Sequence, residues 1–222
     1  MHTRDLIRFL EELSENNNRA WFVMNKPRYD ILRAEFLELV SGLIRSISRF
    51  DPAVAGCDPK KALFRINRDM RFARDKRPYK THFSAAITAS GLKKPSQGGG
   101  PAYYFHIDET GQLLVAAGEY MPPADRLRAI RAHVVSDTAG LEKALKDRRL
   151  RARYGGLRDE GKLARLPKGF EEHGELADYL KHKSFIVWSE TSLKRKLPED
   201  LAADLLAGFR DGWPLVAWLR QA

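Results

Sequence analysis

The order of patterns along this chain predicts an α+β fold, with a central antiparallel sheet packed by N-terminal and C-terminal helices. Three observations predict it. Apolar residues recur at helical spacing over residues 1–50, alternate with period two over residues 62–120, and return to helical spacing from residue 122 onward. The connections between the alternating segments are too short for helical crossovers, which makes the strands antiparallel. At 222 residues the chain suffices for one well-buried core and is short for two, and no linker or internal repeat divides it. A single domain over residues 1–222 is expected, helical in 1–50, sheet in 62–120 and helical in 122–222.

The first helix follows from Leu6, Phe9, Leu10 and Leu13, with Thr3 as its N-cap. Asn16, Asn17 and Asn18 break it, and Trp21 and Phe22 follow as apolar anchors. A longer helix begins near Pro27, a residue suited to a first turn, and carries the stripe Leu32, Phe36, Leu39, Leu43 and Ile47 to about Phe50. Residues 62–66 read as a strand leading into a basic run, residues 83–89 as a second, and residues 102–108 and 113–120 as a hairpin turned by residues 109–112. Residues 93–101, with two lysines, two prolines and a Gly-Gly-Gly stretch, read as an exposed, mobile loop. Pro122-Pro123 opens a helix bearing Leu127, Ile130 and Val134, and Leu141 with Leu145 marks another. Residues 146–172 are basic, Gly-punctuated and expected to be irregular. A last helix from about Pro198, with Leu201, Leu205 and Phe209, is expected to stop near Gly212-Trp213-Pro214.

Composition narrows the function. Hydrophobic residues at 43% and aromatics at 10% argue against wholesale disorder. A formal net charge of +10 points to polyanionic partners such as nucleic acid or nucleotides. Cys57 is the only cysteine, so no internal disulfide and no cysteine-based zinc site exists. Asp5, Glu11 and Glu12 interrupt any signal-peptide core, and no uncharged run approaches the roughly 20 residues that span a bilayer. A cytoplasmic protein without a membrane partner is the expectation.

The charge concentrates in residues 65–80, R-I-N-R-D-M-R-F-A-R-D-K-R-P-Y-K. Seven bases against two acids give +5 from 16 residues, half of the chain's formal +10. Such density repels itself unless anions sit within it, and arginine's planar fork matches carboxylate and phosphate alike. Arg65, Arg68, Arg71, Lys76, Tyr79 and Lys80 are therefore candidate ligand-binding residues. Asp69 and Asp75 either tie the arginines together or act as a carboxylate pair, although the surrounding cations oppose a metal there, and no metal site is expected. Tyr104, His106 and Asp108 alternate onto one strand face, with His106, and His82 beside the run's end, as candidate acid–base groups. Phosphate-loop, dinucleotide, serine-hydrolase and metalloprotease motifs are absent. Residues 141–168 form a second basic region, with Arg148, Arg149 and Arg151 among its charges.

The motif R-I-x-R-D-x-R-F-x-x-D-K-x-P-Y-K at residues 65–80 resembles the signature of a widespread uncharacterised family, a domain of unknown function. The resemblance extends to residues 16–22, the Y-Y-x-H-I strand at 103–107, L-P-K-G-F at 166–170 and P-L-V-x-W-L at 214–219. It implies that Arg65, Arg68, Asp69, Arg71, Phe72, Asp75, Lys76, Pro78, Tyr79 and Lys80 are the family's characteristic residues here, and it implies no reaction or cofactor. Two departures stand out: Asn67 replaces an aromatic, and Ala116-Ala117-Gly118 replaces a more glycine-rich strand end.

Three readings follow from the residues. An Arg-rich anion site binds phosphate groups of nucleic acid or a nucleotide. Alternatively, an enzyme acts on a phosphorylated substrate through Asp69, Asp75 and His106. Alternatively, a self-satisfied Arg–Asp network serves a structural or interaction module.

Overall fold

Alternation in the sheet decides which side is core and which side is open. Strands β1 (His82–Thr88), β2 (Ala102–Asp108), β3 (Gln112–Glu119) and β4 (Phe185–Ser192) pair antiparallel in the order β1-β2-β3-β4. One face presents the cross-strand rows Phe83, Ile107 and Leu113, then Ala85, Phe105 and Val115, then Ile87, Tyr103, Ala117 and Val187, all buried. The computed structural model describes residues 1–69, 71, 76–91, 99–195 and 198–222. Phe72, Arg74 and Asp75 of the basic run, and residues 93–98 of the Gly-rich loop, lie outside the described residues.

Helices cover the apolar face. In α1 (Thr3–Glu15), Leu6, Phe9, Leu10 and Leu13 are fully buried; Thr3 is its first helical residue rather than its cap, and the His2 side chain before it bonds Glu35 instead of capping the helix. A short α2 (Arg19–Met24) follows the asparagines, capped by Asn18, whose side chain accepts from the Trp21 amide. The long α3 (Lys26–Ile47) carries Pro27 in its first turn. Its Phe36 stacks on Phe105 at 5.1 Å and meets Phe83 edge-on at 5.5 Å. Burying an aromatic or aliphatic side chain of this size contributes about 1.5–3 kcal/mol, so rows of this kind dominate stability.

Four expectations are corrected. Residues 62–66 are not a strand, because Asp58 caps a helical turn, α4 (Pro59–Ala62), by accepting from the Lys60 amide. Only Leu63, bridged to Ala85, and the Phe64 amide, bonded to Ser84, join the sheet edge. The stretch 122–222, expected to be helical, holds α5 (Ala124–Ser136) and α6 (Thr138–Leu145) but also supplies β4. Within residues 146–172, α7 (Arg148–Tyr154) forms because Asp147 accepts from the Arg149 and Leu150 amides and Leu150 and Tyr154 are buried at helical spacing. After α8 (Ala177–Leu180), the last helix, α9 (Leu201–Leu219), runs through Pro214 instead of stopping there. Leu215, Val216 and Leu219 beyond the proline are fully buried, and that anchoring outweighs the lost backbone bond. No helix among the described residues is long and apolar enough to cross a membrane.

Candidate functional site

The opposite face of the sheet turns away from the core described above. Its register brings together Ser84, His106, Leu114 and Glu190, then Ala86, Tyr104, Ala116 and Trp188, then Thr88, Ala102, Gly118 and Ile186. Small residues at Ala86, Ala102, Ala116 and Gly118 leave space, and a cavity of about 650 Å³ opens there. Phe64 walls it on the β1 side; Glu160, with Tyr120 and Met121, completes the opposite rim. Gly118 is required by close approach: at φ +128° an added Cβ would lie 2.2 Å from the Phe185 carbonyl oxygen.

The basic run folds back on itself at this edge. The Lys80 amide donates to the Ile66 carbonyl at 2.8 Å and the Arg68 amide to the Pro78 carbonyl at 2.9 Å, with Asn67 bridged to Tyr79. Phe64, at the root of this hairpin, meets Tyr104 edge-on at 6.1 Å, and the Lys80 ammonium lies 5.2 Å from the centre of the Phe64 ring. Across the sheet, the Arg158 guanidinium sits 4.7 Å over the Trp188 ring and donates to the Trp188 carbonyl. Cation–aromatic contacts therefore stand on both walls of one cavity.

The titratable groups gather at the hairpin end. The Tyr104 hydroxyl and His106 Nδ1 are 3.1 Å apart, and the His82 and His106 rings are 5.5 Å apart. Burial holds the His106 imidazole below its ordinary range, opposed by the charges of Asp108, Glu190 and Glu109. Burial brings His82 down to about 4, with the charges of His106, Lys80 and Arg68 acting the same way. Burial also raises the Tyr104 phenol, so it keeps its proton at neutral pH.

The other predicted residues are dispersed. Arg65, Lys76 and Arg71 are exposed, and Arg68 is half-buried. Asp69 accepts both arms of Arg71, at 3.0 and 2.7 Å, which holds its carboxyl far below the usual range. Tyr79 turns inward, stacking on Phe22 at 4.0 Å while Asn17 bonds its amide and carbonyl. Asp108 turns the β2–β3 hairpin, accepting from Thr110 and Gln112. Among the described residues no cluster of three His, Cys, Asp or Glu side chains is placed to hold a metal. Sequence reasoning passed over Trp188 and Glu190, and it read Phe64 only as part of a strand and Arg158 only as one charge of the second basic region; the signal available was β4 itself, where Ile186, Trp188 and Glu190 share a parity.

A family model described as a conserved hypothetical protein, DUF2461, matches residues 5–218. Comparison with curated proteins and with solved structures yields no match.

Proposed function

Because the chain belongs to the DUF2461 family, whose description names no reaction, we propose a function from the site itself: the protein binds a nucleotide, with the base in the sheet-face cavity and the phosphate at the hairpin cations. The observation that carries this reading is the Lys80 ammonium over Phe64, the same ring that walls the cavity. It joins a phosphate-binding charge to an aromatic surface in a single contact. Tyr104 and Trp188 occupy one cross-strand row with Ala116 between them, so a planar ring has aromatic neighbours above a small-residue floor. Stacking of this kind contributes roughly 1–3 kcal/mol per base. The cavity volume falls in the range of about 300–1,000 Å³ typical of small-molecule sites. A concave site flanked on two sides favours a single nucleotide over the repeating backbone of a duplex. The Asp69–Arg71 pair neutralises part of the run locally, which favours a structural role for those two residues alone.

Tryptophan fluorescence titrations with AMP, adenosine and inorganic phosphate test this. AMP is expected to saturate the protein and to bind more tightly than adenosine or phosphate. Trp188→Leu should weaken AMP, and Arg68→Ala combined with Lys80→Ala should remove the preference for AMP over adenosine. Absence of saturable AMP binding at millimolar concentration, at low salt, would overturn the reading.

A further inference from the structure

We infer that the cavity is catalytic and cleaves phosphodiesters of ring-bearing alcohols such as nucleotides, with His106 as the general base and Tyr104 as its positioning residue. This rests on the nucleotide reading and goes further, assigning chemistry to the hairpin end of the same cavity. Three observations place a reactive imidazole where the phosphate would lie.

His106 is held at one nitrogen and open at the other. Its Nδ1 meets the Tyr104 hydroxyl at 3.1 Å, while its Nε2 makes no hydrogen bond among the described residues. His106 lines the cavity rather than the core. An imidazole anchored at one nitrogen and open at the other is the arrangement that general-base catalysis needs.

The cations sit at that same end. Lys80 rests on Phe64, Phe64 meets Tyr104 edge-on, and Tyr104 bonds His106, so one run of contacts leads from the cation to the imidazole. The charges of Lys80 and Arg68 are felt at His82, whose ring is 5.5 Å from that of His106.

The charged groups around the imidazole come from three strands. Asp108 and Glu109 stand at the end of β2, Glu190 faces His106 across Leu114 from β4, and His82 comes from β1. The carboxylates favour the imidazolium while burial opposes it. A base balanced in this way takes up a proton transiently and returns it.

In the step itself, His106 Nε2 takes a proton from a water molecule as the water oxygen bonds to phosphorus. The phosphorus–oxygen bond to one alcohol breaks, and the proton passes from the imidazolium to the departing oxygen. The products are a phosphomonoester and an alcohol. The protonated Nδ1–H donates to the Tyr104 oxygen, and the phenol keeps its own proton.

Bis(4-nitrophenyl) phosphate is a suitable probe, since it carries a planar ring on each side of one phosphodiester. Wild-type protein is expected to release 4-nitrophenol, and His106→Gln and His106→Asn should each lower kcat by about 100-fold or more, while AMP still quenches tryptophan fluorescence. Tyr104→Phe should shift the acid limb of the kcat/KM pH profile, which a merely structural tyrosine would not do. AMP binding without hydrolysis by the wild type, or hydrolysis undiminished in both folded His106 variants, would overturn the catalytic inference and leave the nucleotide reading standing. Failure of AMP to bind would instead remove the premise. Melting curves of the two His106 variants separate lost chemistry from lost fold.

Discussion

Tyr103 donates its phenolic hydrogen to Asp51 across 2.8 Å inside the core, and Arg220 grips the other oxygen of the same carboxylate. Asp51 has no solvent exposure, so the bond ties the turn after α3 to β2 and to the residue that follows α9. Breaking one side of a buried charge pair typically costs about 3–5 kcal/mol. Asp51→Ala is expected to lose that much, because it strands Arg220, whose Nε and Nη2 already find no partner among the described residues. Tyr103→Phe, which leaves the ion pair intact, should lose only roughly 1–2 kcal/mol. Urea denaturation at pH 7 ranks the two; equal losses would show that the ion pair adds nothing beyond the phenol's bond.

Gly118 gives a sharper prediction about backbone. Its φ of +128° is strained for any residue with a Cβ, and that atom would strike the Phe185 carbonyl on β4. Gly118→Ala should therefore destabilise by at least about 1–3 kcal/mol from backbone strain alone, with the clash added. Because Gly118 also floors the cavity, AMP binding should fall in parallel. A variant as stable as the wild type would mean that the β3–β4 pairing yields easily at this point.

Legibility in the sequence followed local periodicity. Helices α1 and α3 and the β2–β3 hairpin were readable because Leu6, Phe9, Leu10 and Leu13, or Tyr103, Phe105 and Ile107, face one core. Strand β4 was missed because alternation fails there: Phe185, Ile186 and Val187 are all buried, Ile186 from the cavity side. Helix α7 hid behind arginines, with only Leu150 and Tyr154 as anchors. The proline rule predicted a stop in α9, but packing beyond Pro214 overrode it. At the site, charge density drew attention to residues 65–80, and strand alternation placed Tyr104 and His106 on one face. The cavity's walls come from Phe64, Trp188 and Glu160, far apart in the chain, and no single segment's pattern encodes their meeting.

A half-buried histidine, His82, and a buried one, His182, predict how stability responds to acid. Burial brings both His82 and His182 to about 4, against an ordinary value of 6.5. Each is neutral in the fold, so between these two values the unfolded chain binds more protons and stability falls as pH is lowered. The loss begins near pH 6.5 and is complete, from this source, below about 4. His182 is only 3% exposed, and one pKa unit corresponds to about 1.4 kcal/mol, so its share is on the order of 1–3 kcal/mol. Denaturation of wild type and His182→Gln between pH 7.5 and 4.5 isolates it from the carboxylates. The variant should lose less on acidification; a gap between the two proteins that stays constant with pH would refute the assignment.

Adjacent residues on β3 test whether the open face is a true cavity. Ala116 and Ala117 are both almost wholly buried, but they point to opposite sides of the sheet. Ala117 packs under α9, where even a Cβ added to Gly212 would come within 2.3 Å of the Ala117 methyl. Ala117→Leu must push the helix off the sheet, and overpacking of this kind costs typically about 1–3 kcal/mol. Ala116 instead floors the 650 Å³ space between Tyr104 and Trp188. Ala116→Leu should fill part of that space at little cost to the melting temperature, while abolishing AMP binding and the hydrolysis of bis(4-nitrophenyl) phosphate. The contrast matters more than either value, since the two substitutions add the same atoms one residue apart. If Ala116→Leu unfolds the protein as readily as Ala117→Leu, the face is packed in solution and the site must be sought elsewhere. If it is tolerated and AMP still binds, the base does not occupy the space above Ala116.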